Sequence, residues 1–263
     1  MGNEFLKLFG VTIVFCLALM TAVWALSRKI HNAGVIDIAW SIGFAPLVIF
    51  YAVCGSGDTT RKWVIAAMAC FWSVRLAAHV LVRVWRMHPK EDGRYEELRR
   101  EWGASWDVKI FGMFEFQAIL IAVLAVPFLI VCLNPQPGLS ALEFVGMGLW
   151  IVAVCGESLA DHQLAAFKAN PANKGKVCQA GLWHYSRHPN YFFEWTVWIA
   201  YFVFALGSPW GWAAVYCPAL MLFFLIKVTG IPMTEQLSVK NRGEQYRDYQ
   251  RTTSRFVPWP RKK

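Results

Sequence analysis

The chain has 263 residues, 57% of them hydrophobic and only 16% charged, with 14 Trp, 19 Phe and a formal net charge of +9. A soluble domain carries about 25% charged residues, so this composition excludes an ordinary soluble enzyme provided the apolar residues fall in long blocks. The seven cysteines form no C-x-x-C pair, which argues against a zinc or disulfide framework and for small apolar packing residues.

In chain order, the predicted elements are seven apolar spans at about 8–27, 35–54, 63–84, 116–134, 141–163, 191–207 and 212–231. Each approaches the ~20 residues that cross a ~30 Å hydrocarbon core as a helix, the sixth being the shortest. The first outruns the ~7–15 apolar residues of a signal peptide and passes into Ser27-Arg28-Lys29 without a small-residue cleavage site, so it is read as a retained helix. Turn-rich "NPQPGLS" follows span four, and "GSPWG" separates spans six and seven, as tight hairpins require. The long polar segments, "RMHPKEDGRYEELRREWGASWDVK", "KANPANKGKVCQAG" and the tail from Ser238, then all fall on one side.

Charge fixes which side that is. With seven spans, 22 of the 26 Lys and Arg lie in the connections of one side, against Lys7, Arg61 and Lys62 on the other and Arg75 within a span. That is the positive-inside pattern, with the N-terminus outside and the C-terminus cytoplasmic. Anionic lipid accounts for the basic surface, and no nucleic-acid partner is needed. The expected fold is an all-α, seven-helix polytopic bundle forming a single membrane domain over residues 1–263.

Polar residues inside apolar spans cost several kcal/mol unless paired, so they mark function. Asp37 opens span two. Arg75, His79 and Arg83 share a face of span three at a spacing of four. Glu157 and Asp161 close span five, and Asn190 and Glu194 open span six at the same spacing. Charges of both signs at one cytoplasmic depth describe a lined polar cavity rather than a path through the bilayer, which argues against a transporter. Arg75, Arg83, Arg94, Lys168 and Arg187 supply cations suited to phosphates. Pro189 suits the first turn of span six, and Tyr185 and Tyr191 offer rings to a planar group.

The stretches "ESLADHQLAAFK", "GLWHYSRHPNYFFEW" and "YRDYQRTTSRFVPW", with "DIAWSIGF" and "EDGRYEELRREWG" earlier, resemble the DUF1295 branch of the steroid 5-alpha-reductase superfamily over nearly the whole chain. The resemblance implies NADPH bound in the cytoplasmic half, about residues 75–263, and reduction of an activated C=C bond in a lipid-like substrate. It implies a cofactor site lined by Asp161, Lys168, Tyr185, Arg187, Asn190 and Glu194, joined by Arg83; Arg75, Arg94, His188 and Tyr191 complete the candidate set. No metal is expected. Asp37 would take the place of the acidic residue that holds a substrate ketone, hydrogen-bonding the oxygen in its protonated form; a structural Asp37 would instead pair with a cation such as Arg75. Two positions depart from the pattern: Trp72 stands about where span three of the reductases carries a tyrosine, and Phe193 replaces the glycine before Glu194. The "RHPNY" stretch also resembles the "RHPxYxG" of isoprenylcysteine and phospholipid methyltransferases, and "TEQLSVKNRGEQYRDY" is compatible with them. An S-adenosylmethionine-dependent methyltransferase is therefore the competing reading. Compactness and family point to a bacterial inner membrane, with an endoplasmic-reticulum membrane as the alternative.

Overall fold

The computed structural model describes residues 2–87, 90–228 and 230–262. Among them the regular structure is helical, apart from one isolated parallel bridge between Ser186 and Ser254. Six helical stretches among the described residues are long and apolar enough to cross a membrane: Gly2–Ile30, Val35–Cys54, Thr59–Arg86, Gly93–Cys132, Ala141–Ala169 and Gly211–Arg242. This is the architecture of an integral multi-pass membrane protein. The helix at the expected sixth position, Pro189–Ala205, has 17 residues. Expected span four is part of a much longer helical stretch, because the polar segment before it also folds as helix.

The chain divides into two compact units, Met1–Ser140 with Ala205–Gly211, and Ala141–Phe204 with Trp212–Lys263. In the first unit, α1 (Gly2–Ile30) runs antiparallel to α5 (Trp106–Leu124). Thr21 donates to Glu115 at 2.8 Å, the Trp24 and Phe111 rings meet at 4.8 Å, and Arg28 reaches Asp107 at 3.5 Å. The hairpin of α2 (Val35–Cys54) and α3 (Thr59–Met87) is drawn together where Ser73 donates to the Ser41 carbonyl at 2.6 Å. Trp72, fully buried there, packs against the Phe44 ring at 5.3 Å and the Trp40 ring at 6.5 Å. It is a packing residue of the α2–α3 seam. The hairpin loop needs Gly57, since a Cβ there would stand 2.5 Å from the Cys132 carbonyl oxygen that its own N–H binds at 2.9 Å. Short α4 (Gly93–Trp102) is capped by Asp92, and α6 (Val126–Cys132) continues α5 past a break with proline in its first turn.

In the second unit, α7 (Ala141–Ala169) and α8 (Pro189–Ala205) are antiparallel, with small residues allowing close approach. A Cβ on Gly146 would lie 2.8 Å from the Phe204 backbone nitrogen. Trp150 Nε1 donates to the Tyr201 hydroxyl at 3.1 Å. Gly156 receives the ring of Phe193, whose atoms would come within 2.4 Å of a Cβ. The departure at Phe193 thus has a partner: the ring that α8 carries in place of glycine fills the space a glycine leaves on α7. Helices α9 (Tyr216–Phe223), α10 (Ile231–Arg242) and α11 (Glu244–Thr252) complete the unit, with a π turn at Phe224–Val228 after α9.

Candidate functional site

Each unit builds a polar cluster. In the first, Asp37 lies in the first turn of α2 and accepts three hydrogen bonds. Its Oδ1 takes the Tyr95 hydroxyl at 2.8 Å, and its Oδ2 takes Arg94 Nη2 at 2.6 Å and Arg83 Nη2 at 3.1 Å. Arg94 also donates from Nε to Asp92 at 3.0 Å, with its guanidinium 5.4 Å from the centroid of the Tyr95 ring. Burial pushes the Asp92 carboxyl up, but its bonds to Arg94 and the charge of that cation outweigh burial and hold it below the ordinary 3.8.

The local fold explains the meeting. The turn between α1 and α2 is tied to the start of α4 by the Ala33 N–H donating to Glu91, which Arg99 holds at 3.2 Å. That anchor sets the first turn of α4, with Arg94 and Tyr95, against the first turn of α2. Tyr95 is only 4% exposed, the Asp37 side chain 19% and the Arg83 side chain 41%, so the cluster opens along Arg83. Three residues singled out in the sequence, Asp37, Arg83 and Arg94, come together, and the aspartate pairs with Arg83 and Arg94 rather than Arg75. Arg75 is half-buried, and His79 exposed, farther along α3.

The second cluster centres on the loop before α8. Arg187 donates from Nε to Glu235 Oε1 at 2.6 Å, and from Nη1 to the carbonyls of Gln250 at 2.8 Å and Thr253 at 2.7 Å. Glu235, on α10, also takes Gln250 Nε2 at 3.0 Å and lies 3.3 Å from His188 Nε2. Burial drives the His188 imidazole below its ordinary 6.5, and the hydrogen bond to Glu235 only partly opposes it, so the ring is neutral near pH 7 and its Nε2–H donates to the carboxylate. The His188 ring stacks on Tyr191 at 5.5 Å, and the Tyr191 hydroxyl lies 3.3 Å from Thr234.

The tail holds this loop from outside. The Arg187 N–H donates to the Ser254 carbonyl at 2.9 Å, Ser186 Oγ to the Phe256 carbonyl at 2.7 Å, and the Tyr249 hydroxyl to the Ser186 carbonyl at 3.1 Å. Beside it, Asn190 Nδ2 approaches Asp161 on α7 at 3.3 Å, and Glu194 accepts from Trp198 Nε1 at 3.0 Å. Tyr185 is 47% exposed and Lys168 exposed at the end of α7. The sequence reading missed Tyr95 and Asp92, which lie in a segment that looked only charged and amphipathic. It also missed Glu235, Gln250 and Thr234. Their signal was present in the tail "TEQLSVKNRGEQYRDY", but nothing in spacing alone joins that tail to "RHPNY". Among the described residues, no group of three His, Cys, Asp or Glu is arranged to hold a metal ion.

Comparison with known proteins agrees on the family. Residues 23–253 match DUF1295, a family described as a protein of unknown function, and the steroid 5-alpha-reductase superfamily placement is consistent with it. The chain is 24% identical to an uncharacterized protein of the fission yeast Schizosaccharomyces pombe, over 95% of this chain and 79% of that protein. No solved structure matches. A relative from a eukaryote gives the expected bacterial inner membrane no support.

Proposed function

We infer, from the premise that the chain belongs to the DUF1295 family, that it is a membrane-embedded, NADPH-dependent reductase of an activated C=C bond in a steroid-like or other lipid enone. The observation that carries the reading is the Tyr95 hydroxyl 2.8 Å from Asp37. A buried phenol beside a carboxylate is the kind of donor an enone oxygen requires as negative charge develops on it. The single O–H of Tyr95, donated to Asp37 here, would turn to that oxygen when the enone binds. Asp37, already an acceptor for Arg83 and Arg94, would position the phenol instead of donating itself.

The second cluster offers what the cofactor needs. Tyr185 presents an exposed ring, Lys168 an exposed ammonium, and Asn190 a half-buried amide beside Asp161. These fit a dinucleotide with phosphates. NADPH, when bound, supplies a hydride. Arg187 and His188, engaged with Glu235, would hold the loop that presents Tyr185 and Asn190. Tyr191 and Glu194 brace the first turns of α8 behind it.

The orientation we propose keeps α8 as a seventh, short crossing, with the N-terminus outside and the C-terminus cytoplasmic, and the distribution of Lys and Arg supports it. Reporters at residues 58 and 263 reading the same side would overturn it.

One observation favours the competing methyltransferase. Glu235, from the tail segment compatible with that class, pairs with both Arg187 and His188 of "RHPNY". The deciding reaction is incubation with NADPH deuterated at the transferred position and a panel of lipid enones. Deuterium at the β-carbon of a saturated product supports the reductase. No label transfer to any enone, with methylation of a lipid from S-adenosylmethionine, would replace it.

A further inference from the structure

A polar cleft of about 240 Å³ lies in the first unit between the end of α1 and the start of α5. Buried Ile110 is at its floor, and Arg28, His31, Arg99, Trp106 and Asp107 surround it. Neither proposed cluster includes these residues as ligands. Each guanidinium rests on an indole: Arg99 is 4.0 Å from the Trp106 centroid and Arg28 5.3 Å from that of Trp24. Stacking of this kind occupies the flat face of the cation; Arg99 spends its Nε–Nη2 edge on Glu91, at 3.2 to 3.3 Å, and keeps Nη1 for an oxyanion. The Arg28–Asp107 pairing is loose, at 3.5 Å between exposed side chains. The His31 imidazole has no hydrogen-bond partner among the described residues. Its backbone is held at φ +52°, a left-handed conformation that a non-glycine residue adopts at a cost.

The depth of the cleft names the occupant's other half. Arg28 and Lys29 stand in the last turn of α1 and Asp107 in the first turn of antiparallel α5, so the cleft sits where both apolar helices end. Trp24, Trp102 and Trp106 gather there, as tryptophans do at the boundary of hydrocarbon and headgroups. We propose that this cleft binds the phosphate of a membrane phospholipid headgroup, with Arg28, Arg99 and His31 as donors and the acyl chains lying along α1 and α5. The same chemistry would accept a free phosphate. The lipid is the assignment because the donors lie at the ends of lipid-length helices, among boundary tryptophans.

The test is native mass spectrometry of the detergent-purified full chain with phosphatidylglycerol, with diacylglycerol of the same acyl chains, and with inorganic phosphate as competitor. Retention of phosphatidylglycerol over diacylglycerol is expected, falling roughly tenfold or more in Arg28→Ala/Arg99→Ala, which removes two charge-assisted donors. Asp107→Asn removes a carboxylate that competes for Arg28 and should strengthen retention, so a misfolded double variant does not remove the test. Equal retention of both lipids by the wild type, or no effect of either variant when its melting is normal, would overturn the proposal. Displacement of the lipid by millimolar inorganic phosphate would overturn the lipid assignment in favour of a soluble phosphate.

Discussion

Arg187 and Glu235 form an ion pair, 2.6 Å between Nε and Oε1, that fastens the loop before α8 to α10. Both side chains are largely enclosed, and Arg187 also satisfies two backbone carbonyls of the segment that follows α10. Removing one partner of such a pair leaves the other charge without compensation. Arg187→Ala should therefore lower stability by about 3 kcal/mol, and Arg187→Lys should not restore it, because an ammonium cannot reproduce the forked donor geometry. Thermal melting in detergent checks this. Normal melting with lost NADPH binding would instead make Arg187 a phosphate ligand.

His188 gives stability a pH dependence of known sign. Its imidazole is held below the ordinary 6.5 in the fold, so the unfolded chain binds the proton more readily. Its contribution is fully present above pH 6.5 and is lost as pH falls from there toward the lowered native value. His188→Gln should flatten the melting profile between pH 7 and 5, by at most about 1.4 kcal/mol per pH unit. A steeper acid loss in the variant than in the wild type would contradict the neutral, buried imidazole.

Gly156 and Phe193 should behave as a coupled pair. Gly156→Ala places a Cβ 2.4 Å from the ring on α8 and should cost about 1–3 kcal/mol of stability. Combining it with Phe193→Gly should recover part of that loss, giving a coupling of about 1 kcal/mol or more in a double-mutant cycle. Additive effects would mean that the two helices tolerate the ring and the methyl together.

How much of this was legible in the sequence follows from what each feature depends on. The membrane class, and helices close to the expected bounds at Val35–Cys54 and Ala141–Ala169, could be read because long apolar runs are a local property. Asp37, Arg83 and Arg94 could be singled out because charges are rare in such a chain. Their meeting could not be read, because it depends on α4 folding back and on a single hydrogen bond from Ala33 to Glu91. Tyr95 was hidden for the same reason: it was sought on the third span, at Trp72, whereas the fold supplies a phenol from the next connection. Glu235 required knowing that the tail closes over "RHPNY", a contact spanning 48 positions.

Tyr95 itself is the most direct probe of the chemistry. Tyr95→Phe removes one hydroxyl and leaves Asp37 with both arginines, so it should cost about 1 kcal/mol of stability. Turnover with an accepted enone should fall on the order of 100-fold, with NADPH affinity unchanged. Undiminished turnover would remove Tyr95 as the donor.

The central claim is the identity of the cofactor, and direct calorimetric titration of the purified protein with NADPH and, separately, with S-adenosylmethionine tests it. The account predicts NADPH binding that weakens roughly tenfold or more in Asn190→Ala, through loss of a half-buried polar contact beside Asp161, while the variant melts as the wild type does. Binding of S-adenosylmethionine with no heat from NADPH would contradict it.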